Sequence, residues 1–268
     1  MRMAWAGALA LSVIVTGCDK KDADVKLAPA ASSLAASTPP PTSHAVKFTI
    51  APKGLASIDM PAPNEHIKAT ADVAAGTLDV DLMKLSNSRG EVKMDLATLT
   101  TKTFDDEKKN ASQTGHARTW LEVADGEDGK LSDEVKAQNK WAVFAIRGVE
   151  KPSAEDVTKV EPTKEGGDDV RTVTLTVKGE LLIHGHKVER SADMTVAFHW
   201  PTGADPAKDK PTSVSVKSKT PLRVILAEHD VKPRDGFGKI AKQSFKLLGT
   251  KVADTADITL ELTARPGS

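Results

Sequence analysis

The sequence predicts a mainly β fold, an antiparallel β-barrel of about eight strands with one or two helices. Apolar and polar residues alternate from Val46 to Ala264, as they do in strands that bury one face and expose the other. The alternating runs follow one another with short turns between them, and only one long segment has helical periodicity. Consecutive antiparallel strands of this kind lose their exposed edges when the sheet closes into a barrel.

Each alternating run indicates one strand or part of one. In the first run, Val46, Phe48 and Ile50 are apolar and alternate with Lys47 and Thr49. Because a run can be part of a strand, the ten runs predict about eight or nine strands. They lie at 46–50, 67–73, 78–82, 92–96, 141–149, 173–177, 194–198, 214–216, 222–226 and 258–262.

Helices and long loops account for the remaining segments. A helix is predicted over residues 105–123, where acidic residues favour the first turn and apolar residues return on one face. A shorter helix is predicted over residues 240–247. The polar insertions at 151–169 and 201–212 are predicted to be exposed and mobile loops.

Charge and cysteine content exclude several functional classes. The 37 Lys and Arg residues are balanced by 37 Asp and Glu residues, so the chain lacks the basic surplus that nucleic-acid binding requires. The single cysteine cannot form an intramolecular disulfide, and the fold must depend on its hydrophobic core. No nucleophile elbow, phosphate-binding loop or His-Glu-x-x-His motif occurs, so neither catalysis nor nucleic-acid binding is expected.

The N-terminal segment has the features of a bacterial lipoprotein signal. Arg2 precedes an apolar run that is too short to span a bilayer, and the run ends in Val-Thr-Gly-Cys, which resembles a lipobox. We therefore expect residues 1–17 to be a cleaved signal peptide. Cys18 would then be acylated and would anchor the protein to a membrane of the bacterial cell envelope, facing the periplasm. The sequence does not assign the anchor to the inner or the outer membrane.

The segment after the cysteine is predicted to be a spacer. Residues 18–45 are rich in Ala, Ser, Thr and Pro and contain too few large apolar side chains to offset the entropy of ordering them. We expect a flexible linker there. The barrel domain is expected to occupy residues 46–268.

The apolar strand positions define a candidate interior. A barrel of about eight strands is either filled by side chains or wide enough for one slender ligand. Because the inward candidates are mostly aliphatic, the interior should be apolar and comparatively open. The residues assigned to this lumen, and to contact with an apolar chain, are Phe48, Ile50, Val80, Met94, Phe144, Ile146, Leu175, Val177, Met194, Val196, Phe198, Val224 and Leu260.

Several motifs, taken in order, resemble one known family. Residues 177–188, with the sequence VKGELLIHGHKV, are similar to the hairpin signature of the YceI-like polyisoprenoid-binding family. Residues 46–50, 95–101 and 141–146 resemble its early strands, and residues 234–238 resemble its late glycine turn. The resemblance implies a lipocalin-like barrel in the cell envelope, with an elongated apolar cavity for a polyisoprenoid chain or an isoprenoid quinone.

Histidines are the main candidates for chemistry. His184 and His186 would share a face if they lay on one strand and could then bind a metal, but no third ligand is near them in the sequence. We therefore interpret them as polar residues that flank a hairpin turn at Gly185. His116 is expected at the surface, with the barrel mouth as the alternative. Residues 228–230, Glu-His-Asp, are interpreted as a loop.

The sequence therefore predicts a lipid-anchored barrel that binds or carries a long apolar ligand, has no cofactor or metal and catalyses no reaction. One alternative is a barrel filled by its own side chains that acts as an interaction module of an envelope complex. A second alternative is a small-substrate hydrolase that uses the histidines, and it requires at least three polar groups that converge in a cavity.

Overall fold

The computed structural model describes residues 25–38, 40, 44–62, 65–126, 129–232 and 253–267. These residues form one large antiparallel sheet with short helices at its ends. The strands are β1 (Ala45–Ile50), β2 (Gly54–Ala62), β3 (Glu65–Asp81), β4 (Arg89–Thr101), β5 (Trp141–Glu150), β6 (Thr163–Glu165), β7 (Asp168–Ile183), β8 (His186–Pro201), β9 (Ser213–Ser218), β10 (Leu222–Ile225) and β11 (Thr255–Pro266).

The sheet closes into a ring of eight strands in the order β2, β3, β4, β5, β7, β8, β9 and β11. The last strand, β11, closes the ring, since it pairs with β2 through Leu260 and Ala56 and with β9 through Leu262 and Val216. β1 lies in the same place in the ring as β2, because it pairs with other parts of the same two strands, β11 and β3. The predicted antiparallel, lipocalin-like barrel is confirmed.

Two strand predictions are corrected by the structure. The runs at 67–73 and 78–82 are parts of one long strand, β3, which continues through Gly76 at a φ of 140°. A Cβ atom at position 76 would lie 2.1 Å from the carbonyl oxygen of Glu91, so only glycine lets the strand pass there. The sequence analysis missed β2, because its buried positions include Gly54, which has no side chain, and Ala56, which has only a methyl group, so the alternating signal is weak.

Helix α1 (Glu107–Trp120) forms within the segment where a helix was predicted. It begins after Asp106, whose side chain accepts hydrogen bonds from the amides of Lys108 and Lys109. A second helix, α2 (Asp133–Asn139), was not predicted. The helix predicted at 240–247 and the glycine turn at 234–238 lie outside the described residues.

The insertion at 151–169 is only partly the exposed loop that was predicted. It contains a single 3-10 turn, Val157–Lys159, whose Val157 side chain is fully buried. The amide of Val157 donates to the carbonyl of Leu82, 2.9 Å away. A similar turn, Leu85–Asn87, lies beside it, since the amide of Leu85 donates to the carbonyl of Glu155 (3.0 Å), and the side chains of Leu85 and Val157 both belong to the hydrophobic core.

Part of the predicted linker lies against the barrel. The amide of Ala31 donates to the carbonyl of Gly185 (2.7 Å), and the amide of Lys187 donates to the carbonyl of Pro29 (3.0 Å). These bonds join backbone to backbone, which is why the composition of the segment did not indicate them. The predicted signal peptide at 1–17 and Cys18 lie outside the described residues.

Among the described residues, no helix is both long enough and apolar enough to cross a membrane.

Candidate apolar binding site

An inner chamber of about 130 Å³ lies within the barrel. Its wall is built from the inward-facing positions of the strands, and ten of the thirteen predicted lumen residues lie in it. They are Val80, Met94, Phe144, Ile146, Leu175, Val177, Met194, Val196, Phe198 and Leu260. The alternating pattern therefore identified the correct face of each strand that contributes these ten residues.

The other three predicted lumen residues lie elsewhere. Val224 lines a second chamber. Phe48 and Ile50 are buried in the core and lie in the wall of neither chamber. Phe48 lies directly opposite Leu78, which lines the inner chamber, so the two side chains share the inward face of the sheet.

The second, outer chamber has a volume of about 450 Å³ and lies between α1 and one end of the barrel. Both chambers have Met94, Ile183 and Ile258 in their walls, so they adjoin. The outer chamber by itself falls within the range of about 300–1,000 Å³ that is usual for ligand pockets. The two chambers together make an elongated site.

The wall of the inner chamber is almost entirely apolar. Its polar residues are Ser88, Arg89 and Ser218. The Nη1 atom of Arg89 donates to the carbonyl oxygens of Ser86 (3.1 Å) and Ser88 (2.8 Å), so backbone groups already bind the guanidinium. The chamber therefore suits hydrocarbon.

The two ends of the elongated site differ. At the inner end, Phe198 packs on Trp200 with ring centroids 6.2 Å apart, and both rings are buried. At the outer end, Phe104 is 37% exposed, and the Lys109 ammonium lies 5.8 Å from its ring centroid. Both residues line the outer chamber, which therefore opens beside an aromatic ring and a positive charge.

Hydrogen bonds, more than apolar packing, attach α1 over the outer chamber. The hydroxyl of Thr114 accepts from the amide of Thr101 (2.9 Å), and Nε of Arg118 donates to the carbonyl of Leu99 (2.8 Å). No residue of α1 is fully buried. His116 faces the outer chamber from this helix, so the alternative placement at the barrel mouth is correct.

The two hairpin histidines occupy the turn and the strand that follows it. His184 and Gly185 are the turn residues between β7 and β8, with φ values of 48° and 74°. His184 is nevertheless buried, with Nδ1 3.1 Å from the carbonyl oxygen of His229 and Nε2 2.8 Å from Oε2 of Glu122. Nδ1 of His186 lies 2.8 Å from the carbonyl oxygen of Ala28.

These contacts show that the histidines bind protein oxygens. In the part of the chain that the structure describes, no group of three or more His, Cys, Asp or Glu side chains is arranged to hold a metal.

His229 was not recognised as a site residue from the sequence. The structure places it at the end of a 3-10 turn, Leu226–His229, where its side chain is fully buried in the wall of the outer chamber. Burial lowers the pKa of His229, and the carbonyls of His186 and Ile183 offset only part of that effect. The sequence analysis interpreted residues 228–230 as a loop, and the structure places them at the end of this turn, where Asp230 has a φ of 52°.

The sequence matches no protein-family model and no curated protein. Solved structures similar in shape include a polyisoprenoid binding domain from Saccharophagus degradans, described as implicated in plant cell wall breakdown. The identity is 12% and the TM-score is 0.46, over 83% of this chain and 99% of that chain. BcnA of Burkholderia cenocepacia is similar at 13% identity and a TM-score of 0.41, over 78% of this chain and 94% of that chain.

Proposed function

We propose that this protein binds or carries one long apolar molecule in the two adjoining chambers of its barrel. The observation that carries the proposal is the mainly apolar lining of two adjoining chambers, which share Met94, Ile183 and Ile258 in their walls. A slender chain could extend from the inner chamber to the opening beside Phe104. No covalent step is part of this function.

The driving force would be burial of hydrocarbon. Each methylene group moved from water into such a wall contributes about 0.8 kcal/mol, so about ten of them would contribute about 8 kcal/mol before ordering costs. The inner chamber is closest in size to small dry cavities, which accept apolar guests of about that volume. Most of the ligand would therefore occupy the outer chamber, with one end inserted between the strands.

Helix α1 supports the same proposal. It covers the outer chamber without burying any residue of its own, and its Ala117 and Trp120 line that chamber. An apolar ligand would bury these side chains and supply the packing that the helix lacks. We expect the ligand to stabilise α1 against the barrel.

The ligand class that we propose is an isoprenoid lipid, either a polyisoprenoid or an isoprenoid quinone. The support is the family resemblance of the sequence motifs together with the elongated, branched-aliphatic wall. We further propose that the protein is a lipoprotein of the bacterial cell envelope that is anchored through Cys18 and faces the periplasm. That part rests on the sequence of residues 1–18.

The chambers favour a carrier over the other candidate functions. A filled-barrel interaction module would have side chains where the inner chamber lies. A hydrolase would need a trio of polar groups that converge on a substrate, whereas Nη1 of Arg89, both ring nitrogens of His184 and Nδ1 of His186 contact protein oxygens.

Mass spectrometry of an organic extract tests the proposal. The protein would be purified without detergent, and a parallel preparation of Val196→Trp, which narrows the inner chamber, would serve as the comparison. We expect about one isoprenoid molecule per chain in the native protein and much less in the variant. Equal, trace amounts in both preparations would refute the carrier function.

A further inference from the structure

The wall of the inner chamber ends at Phe198 along β8. This strand begins at the hairpin beside the outer chamber, and its residues in the inner wall are Ala192, Met194, Val196 and Phe198. Phe198 is therefore the wall residue of β8 that lies farthest from the outer chamber. The next position on the same face is Trp200, which is 1% exposed and lies in the wall of neither chamber. A chain that enters from the outer chamber would meet the Phe198 ring last.

The ring of Trp200 holds Phe198 from behind. The two ring centroids are 6.2 Å apart, and Nε1 of Trp200 donates to the carbonyl of Asp209 (2.9 Å). The guanidinium of Arg171 lies 5.8 Å from the Trp200 ring centroid, and its Nη1 atom donates to the carbonyl of Val160. An aromatic ring, a backbone carbonyl and a guanidinium thus fix the tryptophan.

The two polar insertions of the sequence provide these contacts. Val160 belongs to the insertion at 151–169, and Asp209 belongs to the insertion at 201–212. The first insertion also contacts a chamber residue directly, because the carbonyl of Glu155 accepts from the amide of Leu85 (3.0 Å), whose side chain lines the inner chamber. Both insertions therefore hold the far end of the inner chamber in place.

The opposite end of the site is the opening beside Phe104 and Lys109. A chain that is longer than the two chambers can protrude only there. Hydrocarbon contributes to affinity in proportion to the surface that it removes from water, so the protruding part would add little.

We propose that Phe198, held by Trp200, is the end stop that sets how much of an apolar chain this site buries. This inference rests on the proposed function and concerns the length and direction of its ligand. The hydrocarbon end lies against Phe198, because the inner wall is almost entirely apolar, and the polar end lies at the opening beside Lys109. Isoprene units increase the affinity only until the chain between these two points is complete.

A series of isoprenoid alcohols tests the limit: geraniol, farnesol, geranylgeraniol and geranylfarnesol, each one isoprene unit longer than the last. Their affinities for the native protein are measured by displacement of the fluorescent apolar probe N-phenyl-1-naphthylamine. We expect the affinity to rise about tenfold or more per buried unit and then to level off, with a last step of less than about twofold. A steady rise through the whole series would overturn the end stop and leave the carrier function intact. Failure of all four alcohols to bind would overturn both.

A variant tests the residue itself. Phe198→Val removes the ring but keeps a side chain that suits a strand, so the chamber becomes deeper. The affinity should now level off at an alcohol one isoprene unit longer. Phe144→Val is the matched control, because Phe144 also lines the inner chamber but lies opposite Leu181, near the outer chamber. It should leave the limit where it is. An unchanged limit in Phe198→Val, or the same shift in both variants, would overturn the proposal.

A measurement on the native protein does not depend on the folding of any variant. A geranylgeraniol analogue with a diazirine at its hydrocarbon end is bound and photolysed, and the labelled peptide is identified by mass spectrometry. We expect the label at Phe198 or on its chamber neighbours Val196 and Val214. A label on Phe104 or Trp120 would place the hydrocarbon end in the outer chamber and would overturn the proposed direction.

Discussion

Nε2 of His184 lies 2.8 Å from Oε2 of Glu122, a residue 62 positions earlier in the chain. The contact joins the turn between β7 and β8 to the segment that follows α1. The same carboxylate oxygen lies 3.4 Å from the side-chain nitrogen of Asn139 at the end of α2. Leu121, next to Glu122, lines the outer chamber. Glu122 therefore links three elements at the rim of the candidate site.

Replacing Glu122 by alanine should destabilise the protein by about 2 kcal/mol, because the buried ring of His184 loses the partner of its Nε2 atom. Glu122→Gln keeps an acceptor and should recover part of the loss. Urea denaturation measures both. Glu161→Ala, at an exposed position, is the control and should change the free energy of unfolding by less than about 0.5 kcal/mol. A similar small change for Glu122→Ala would show that the contact does not stabilise the fold.

The low pKa of His229 predicts a pH dependence of stability. The unfolded chain binds a proton at His229 near the ordinary pKa of 6.5, whereas the folded protein binds it only at lower pH. The unfolded state thus holds more protons in this window, and stability should fall as the pH drops below about 6.5. The free energy of unfolding, measured from about pH 7.5 to 5, should decrease less in His229→Asn than in the native protein. Equal slopes would contradict this assignment.

Filling the inner chamber should separate ligand binding from folding. Val196→Trp places a large side chain in the wall of that chamber and should remove most of the bound ligand. The free energy of unfolding should fall by no more than the roughly 1–3 kcal/mol that overpacking a filled core costs. Thr195→Trp, at the neighbouring position on the opposite face of β8, is the matched control and should keep its ligand. Ligand content from mass spectrometry and the melting temperature are the two readouts. An unfolded Val196→Trp protein would indicate a tightly filled interior instead.

The N-terminal segment should protect the hairpin between β7 and β8. Deleting residues 19–44 removes the carbonyl of Pro29, which accepts a hydrogen bond from the amide of Lys187. We expect faster hydrogen exchange at Lys187 and a loss of stability of about 1 kcal/mol, while exchange within the paired part of β4 stays slow. Unchanged exchange at Lys187 would mean that the segment behaves as the unattached linker that its composition predicts.

The anchor prediction concerns residues outside the described part of the chain. Cys18→Ser should abolish acylation and move the protein from the membrane fraction to the soluble fraction, since a lipid chain would provide the membrane affinity. Cell fractionation with blotting, together with intact-mass measurement of the native protein, checks this. A variant that stays in the membrane fraction would place the anchor elsewhere.

The strand faces could be predicted because they depend on local spacing. Side chains two residues apart on a strand share a face, so the pattern along β8 placed Met194, Val196 and Phe198 on the inner wall before the strand's partners were known. The turn at Gly185 was also recognisable from the short motif around it. The same spacing did not reveal β2, because Gly54 and Ala56 bury little apolar surface and so give almost no apolar–polar alternation.

The sequence by itself determined the period of the strands, and through it the apolar interior of an antiparallel barrel. Only the tertiary structure decided which distant residues meet at the mouth. Closure of the ring by β11 positions the segment around His229 against the hairpin at His184, and the segment after α1 positions Glu122 beside the same ring. The contacts depend on long-range pairing between strands, and no local pattern encodes that pairing. The burial of His229 could therefore be found only in the folded chain.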